Sequence, residues 1–529
     1  MKIKEILKNS FLQLIFIYSL VVLAVSFGFF SRYSLQFNIF SFIIGLLGFF
    51  VLDKNKDINK TNKKLHYFLL IIGLILIFLI RVIPYLFYSI PLGYDVGLYK
   101  YGIEQGLEKL DKWILQGGME PGFLYLMQPL KITFSTDFIL KYLFIVFCCL
   151  LGFSIYLASK EYFNKKTALF SVFIFAFSLI QLRTFWFLYY KNIIGLTTML
   201  FSIYFLKKYQ DDNSKLNRFL FIFFGGITGA IHRPTFYIFG LSYFLFAFIS
   251  PYKEKYDKKI LFENITSGFL ILLIFFIFYI GKFFSAITSI IPFVFNGFVE
   301  PGQSPGTFIN FFEYQYSILA YFPLVILGLF FSIFKNKKRT MLEIWAVINL
   351  LIVYLKFFFF NRFIIMLDIV LIVFSSYGFY LIYNRRERLL KISFFILFFS
   401  MLLFSLRESY SYKPLVGDKE LEAISYLSQT PESSFVMATD SYYSPWVLGY
   451  SYRKTIAPGL FDYDIHNKDE WIKFWTTNEK NYIKEFLSVY EKPLYIFIGK
   501  RQKDNLAQFS DCFNKTYELD NNKIYQYLC

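Results

Sequence analysis

The chain has 529 residues, of which 56% are hydrophobic and 23% aromatic, with 73 Phe and only 17% charged residues. Soluble domains carry roughly 25% charged residues, so this composition excludes an ordinary soluble fold and indicates an integral membrane protein. The formal net charge of +18 is spread over short Lys/Arg clusters between apolar runs, a pattern of topology signals that argues against a nucleic-acid partner.

A bilayer span needs about 20 apolar residues, and we count about thirteen candidate spans. They centre near 11–30, 37–52, 66–88, 138–158, 167–182, 187–206, 217–232, 234–250, 261–284, 316–334, 340–359, 363–383 and 392–406. The weakest pair, 217–232 and 234–250, is separated only by His232-Arg233-Pro234. No small-residue cleavage site follows the first run, so no cleavable signal peptide is expected. The basic clusters, among them Lys2/Lys4/Lys8, Lys160/Lys165/Lys166 and Arg385/Arg386/Arg388/Lys391, fall on one side if the N-terminus is cytoplasmic and the spans alternate. An odd number of spans then places residues 407–529 outside the cytoplasmic membrane, together with the loop 90–137.

That first outer loop opens where the third apolar run stops, at Ile90-Pro91-Leu92-Gly93-Tyr94-Asp95-Val96-Gly97-Leu98-Tyr99. Tyr99 to Leu115 is expected to form an amphipathic helix, broken by Gly117-Gly118. A second short helix, Phe123 to Thr133, suits an interfacial position along the membrane. A further outer loop near 285–315 carries Glu300-Pro301-Gly302-Gln303-Ser304-Pro305-Gly306 and reads as flexible. Beyond 407 the chain predicts helices at Glu420 to Ser428 and Tyr442 to Tyr450, and one or two more within Lys468 to Tyr490. Strands are expected at Phe435 to Thr439 and Leu494 to Ile498, with a hairpin turning at Asp520-Asn521-Asn522. The expected fold class is therefore mainly α. It is a polytopic membrane helical bundle (1–406) with interfacial helices in the first outer loop and a small extracytoplasmic α/β domain (407–529). Cys148 and Cys149 read as helix filler, and Cys512 and Cys529 leave pairing open.

Polar groups inside a membrane are costly and ask for a reason. Asp95 lies just beyond the third run, as either a helix cap or a reactive carboxylate at the membrane boundary. Arg81, Arg183, Lys191, His232, Arg233, Asn361 and Arg362 come from four other outer regions. Asp368 lies deeper, as part of that set or as a pairing partner of Arg362 or Lys356. One carboxylate facing several cations suits an anionic lipid-phosphate substrate: cations hold the leaving phosphate, and the carboxylate takes a proton or holds a metal. No Gly-rich nucleotide loop is present.

These features resemble the GT-C superfamily of integral membrane glycosyltransferases, which includes protein mannosyltransferases, aminoarabinose transferases and oligosaccharyltransferase catalytic subunits. The residues that carry the resemblance are Gly93-Tyr94-Asp95-Val96-Gly97-Leu98-Tyr99, Glu120-Pro121-Gly122-Phe123-Leu124-Tyr125, Ala230-Ile231-His232-Arg233-Pro234-Thr235, Asn361-Arg362-Phe363 and Ser451 to Gly459. The resemblance implies an inverting hexosyltransferase. It would move sugar from a polyprenyl (dolichyl) phosphate donor to a glycan, lipid or protein acceptor outside the cytoplasm. Asp95 would be the catalytic base or the group that orients the acceptor, and Arg81, Tyr94, Glu120, Lys191, His232, Arg233 and Arg362 would bind substrate. The family often shows Asp-Glu or Asp-X-Asp where this chain has Asp95-Val96-Gly97. That departure favours a metal-independent base, with no certain cofactor, and leaves a divalent cation (Mg or Mn) open. Glu104, Asp111 and Glu120 are candidate second carboxylates, with Glu120 the best placed. The alternatives are an O-antigen polymerase or ligase, against which the absence of Arg from 285–315 counts, and a lipid-linked glycan flippase or transporter.

Overall fold

A computed structural model describes residues 2–29, 33–52, 62–106, 119–251, 257–280, 309–336, 340–357, 360–383, 385, 387–440, 442–456 and 465–529. The chain divides into two compact units. The first comprises Met1–Pro84, Phe144–Phe185 and Tyr190–Tyr412; the second comprises Tyr85–Leu143, Trp186–Tyr189 and Lys413–Cys529.

Each apolar run is centred on a helix of the first unit: Lys2–Ser26, Ser34–Val51, Lys63–Val82, Phe144–Tyr162, Lys165–Phe177, Tyr190–Asp212, Lys215–Ile231, Arg233–Ile249, Lys258–Phe278, Phe322–Phe330, Met341–Tyr354, Phe360–Tyr383 and Arg388–Ser411. Among the described residues, seven helices are long and apolar enough to cross a membrane, or up to nine if each of two bent pairs is one span. Arg233–Ile249 and Met341–Tyr354 are apolar but shorter. Phe360–Tyr383 is the central element, because its whole apolar window is buried. It packs on Phe322–Phe330 with backbones touching: a Cβ on Gly328 would lie 2.0 Å from the Phe374 carbonyl oxygen, and one on Gly378 2.1 Å from that of Leu324. Small residues permit this close approach where lipid supplies no hydrophobic drive.

Both bent pairs break against the same side chain. Lys165–Phe177 and Leu179–Trp186 meet at 51°, and Phe311–Ser317 and Phe322–Lys335 at 82°. Asp368, fully buried on Phe360–Tyr383, accepts hydrogen bonds from Ser178 Oγ at 2.7 Å, from Gln181 Nε2 at 2.8 Å and from the Tyr321 hydroxyl. Ser178 and Tyr321 are residues of the two breaks. Among the described residues Asp368 pairs with no cation, neither Arg362 nor Lys356; side-chain donors at and beside the two breaks occupy it instead. Tyr18 donates to the Leu319 carbonyl at 2.7 Å and Asn38 to that of Gln315 at 2.7 Å, meeting the rule that backbone freed within a membrane finds partners inside the protein.

The second unit holds a five-stranded sheet of order β2-β1-β3-β5-β4. Its strands are β1 (Phe435–Ala438), β2 (Lys454–Ile456), β3 (Leu494–Ile498), β4 (Phe513–Leu519) and β5 (Asn522–Tyr527). β2, β1 and β3 run parallel, while β5 is antiparallel to both β3 and β4. Asp520 and Asn521 turn the β4–β5 hairpin with φ of 50° and 66°, the left-handed pair that two-residue hairpins prefer. One sheet face packs on Trp471, Phe474, Ile483 and Phe486, from the amphipathic helices Lys468–Thr476 and Lys480–Ser488. A Cys512–Cys529 disulfide ties the start of β4 to the last residue.

Two expectations need adjustment. The first loop helix starts at Val96 and closes at Gln105 against Gly106, φ +76°. Residues 107–118, with Asp111 and Gly117-Gly118, lie outside the described residues, as do 281–308 and 457–464. The second loop helix is Pro121–Lys131, with Pro121 at its first position, where a missing N–H costs nothing.

Candidate functional site

Asp95 occupies the N-cap position of Val96–Gln105, yet its side chain makes no cap hydrogen bond; only its carbonyl joins the helix, accepting the Tyr99 amide at 2.9 Å. Glycines hold it on both sides. Gly93 has φ +108°, and a Cβ there would lie 2.5 Å from Leu188 Cβ, so only glycine fits the turn. A Cβ on Gly97 would lie 1.8 Å from the Pro445 carbonyl oxygen, and one on Gly449 2.2 Å from that of Gly97. The helix carrying Asp95 thus rests directly on Ser444–Ser451, backbone against backbone.

Tyr94 is part-buried, and burial first, then the charges of Asp95 and Asp440, push its hydroxyl pKa upward. Asp440 is therefore a further carboxylate whose charge reaches Tyr94, one that sequence reasoning missed. It follows β1, and its Oδ1 accepts the Tyr442 amide at 2.9 Å. The clue was available: a carboxylate at the carboxyl end of a parallel strand sits where α/β folds place ligand-facing groups.

Glu120, the preferred second carboxylate, is 4% exposed at the N-cap of Pro121–Lys131 and makes no side-chain cap bond. Glu104 is committed elsewhere. It takes Lys100 Nζ at 2.9 Å and the Tyr452 hydroxyl, and Lys100 also reaches Asp137 at 3.6 Å. Burial raises the Glu104 pKa, but the hydrogen bonds from Tyr452 and Lys100 outweigh it and hold the carboxyl below its usual range. Among the described residues no three His, Cys, Asp or Glu side chains gather closely enough to hold a metal ion.

The expected cations all belong to the first unit, at helix ends. Arg81, in the last turn of Lys63–Val82, is fully buried; Nη1 donates to Ile77 O at 3.3 Å, and the guanidinium lies 5.1 Å from the Phe175 ring centroid. Its Nε and Nη2 have no hydrogen-bond partner among the described residues. Lys191 lies in the first turn of Tyr190–Asp212. His232 joins Lys215–Ile231 to Arg233–Ile249 as cap: its Nδ1 accepts the Thr235 amide at 3.3 Å and lies 2.7 Å from Thr235 Oγ1. A Cβ on Gly195 would lie 2.8 Å from His232 Cβ, which brings the helix ends of Lys191, His232 and Arg233 together. Arg362 is part-buried in the first turn of Phe360–Tyr383. Arg183 is ion-paired with Glu313 at 2.9 Å and Glu408 at 3.8 Å. Asp95, Tyr94 and Glu120 belong to the second unit.

Residues 121–280 match the family model described as dolichyl-phosphate-mannose-protein mannosyltransferase. No curated protein matches the chain in sequence. Among solved structures, the Archaeoglobus fulgidus oligosaccharyltransferase AglB, in complex with an inhibitory peptide and a dolichol-phosphate, matches with a TM-score of 0.59 at 15% identity; the match covers 82% of this chain and 69% of that one. ArnT from Cupriavidus metallidurans bound to undecaprenyl phosphate matches with a TM-score of 0.56 at 10% identity, covering 89% and 99%. At these identities the likeness is one of fold.

Proposed function

From the premise that this chain has the GT-C superfamily fold of membrane glycosyltransferases, we propose that it transfers a sugar from a polyprenyl-phosphate donor to an acceptor outside the cytoplasm. The observation that carries this reading is Asp95: an acidic side chain fixed between two obligatory glycines and not used as a helix cap. In the proposed step the acceptor oxygen attacks the sugar C1 from the face opposite the phosphate. The C1–O bond to the acceptor forms, the C1–O bond to the phosphate breaks, and the acceptor's proton passes to Asp95. The freed lipid phosphate would be held by Arg81, Lys191, His232, Arg233 and Arg362, with Tyr94 and Glu120 orienting sugar or acceptor. A cytoplasmic N-terminus, supported by the basic clusters, and an outer C-terminal domain, supported by the Cys512–Cys529 bond of an oxidising compartment, complete the reading.

The test is transfer of labelled sugar from polyprenyl phosphate in membranes. Asp95→Asn should lower the rate about 10²- to 10⁴-fold, the range of a lost general base; full activity in that variant would falsify the mechanism. A transporter is favoured by one feature, the two broken spans at Asp368. Uptake of lipid-linked glycan into sealed vesicles without sugar transfer would decide for it.

A further inference from the structure

A cavity of about 420 Å³ opens in the first unit, within the roughly 300–1,000 Å³ of small-molecule sites. It lies at the N-terminal ends of Lys63–Val82 and Lys165–Phe177, beside Tyr383 and the Arg388–Ser411 helix. Arg81 stands at the opposite end of Lys63–Val82, about 22 Å along the axis from His66, so this is not the Arg81 end of the bundle.

The cavity walls change character with depth. Lys166, Leu169, Phe170 and Phe173 line it from one face of Lys165–Phe177, at the i, i+3, i+4, i+7 spacing of a helical stripe. Lys166 is in the first turn, and Phe173 lies about 10 Å deeper. Phe394 and Phe398 face the deep end, with Phe170 and Phe394 ring centroids 5.5 Å apart and Phe173 and Phe398 6.0 Å apart. The polar end holds Lys166, whose Nζ lies 5.9 Å from the Tyr383 ring centroid, and His66. No acidic side chain lines the cavity among the described residues, and Lys63, Lys64 and Lys165 are exposed nearby. His66 is 5% exposed, and its Nε2 shares a hydrogen bond with the Tyr156 hydroxyl at 2.7 Å. Its Nδ1 has no hydrogen-bond partner among the described residues, although buried polar atoms ordinarily have one.

We infer that this cavity binds an anionic glycerophospholipid, its phosphate between Lys166 and His66 and one acyl chain along Phe170, Phe173, Phe394 and Phe398. The lipid supplies the negative charge that the basic mouth favours and the hydrocarbon that the deep aromatic wall needs. A free phosphate would leave that wall bare. The inference does not depend on the transferase reading, since it uses none of the residues assigned there.

The test titrates the full chain in nanodiscs with phosphatidylglycerol and phosphatidylcholine of identical chains, counting bound lipid by native mass spectrometry. Phosphatidylglycerol should bind about fivefold more tightly, and Lys166→Gln should abolish that preference at an unchanged melting temperature. Leu169→Trp, which fills the apolar end, should weaken both lipids alike. Equal binding of the two lipids, a preference that survives Lys166→Gln, or displacement of phosphatidylglycerol by equimolar inorganic phosphate would overturn the assignment.

Discussion

Glu104 shows how a single carboxylate can be diverted from chemistry to construction. Its acceptance of hydrogen bonds from Lys100 and Tyr452 links the first loop to the segment after Ser444–Ser451. Because its folded pKa lies below the usual carboxylate value, the charged form stabilises the fold. That contribution is fully present above about pH 4.3 and is lost as pH falls through the folded value. Glu104→Gln should therefore melt below wild type at neutral pH, and the gap should close as the medium is acidified toward pH ~3, read by thermal unfolding across that range. Asp95 was legible in the sequence because it is the first acid after a long apolar run, and its glycine neighbours were visible too. The role of Gly97 was not, since its need for no side chain arises from Pro445, far along the chain. Asp440 escaped notice for the same reason: only folding places its charge near Tyr94.

At the scale of elements, the apolar runs located the long helices of the bundle among the described residues, because hydropathy decides what may sit in lipid. The bends were invisible. Ser317-Ile318-Leu319-Ala320-Tyr321 reads as uninterrupted helix, and its 82° break depends on Asp368, Tyr18 and Asn38 from other helices. Asp368→Leu would strand the Ser178 and Tyr321 donors, at about 1–3 kcal/mol for each buried group left unpaired, while Gln181 Nε2 keeps its bond to the Ile365 carbonyl at 3.2 Å. We expect a large fall in the melting temperature of the purified protein. Adding Tyr321→Phe to Asp368→Leu should cost little more than Asp368→Leu alone, because the two side chains share one interaction. Additive losses would show that the breaks hold without this carboxylate.

For the whole molecule, the class of fold follows from composition, but the division into units does not. Sequence order suggests a membrane part followed by a tail. Contacts instead group the first loop with that tail, as one unit of Tyr85–Leu143, Trp186–Tyr189 and Lys413–Cys529. Cysteine spacing left the Cys512–Cys529 pairing open, and the hairpin of β4 and β5 closes it by bringing the chain end back to the start of β4. Cys529→Ser should lower the stability of the sheet by about 3 kcal/mol, the loop-closure entropy for a ring of this size, measured by unfolding with and without reductant; identical curves would deny the bond a stabilising role.

The seat that Pro445 and Gly449 provide for Gly97 has a consequence for inheritance. A mutation that thickens either partner displaces the neighbour two residues upstream, Asp95, so the early loop and the late domain cannot drift independently. Because each glycine meets only the other segment's backbone, no change of side chain opposite can make room for a Cβ, and both positions should stay glycine in every descendant of this chain that keeps loop and tail together.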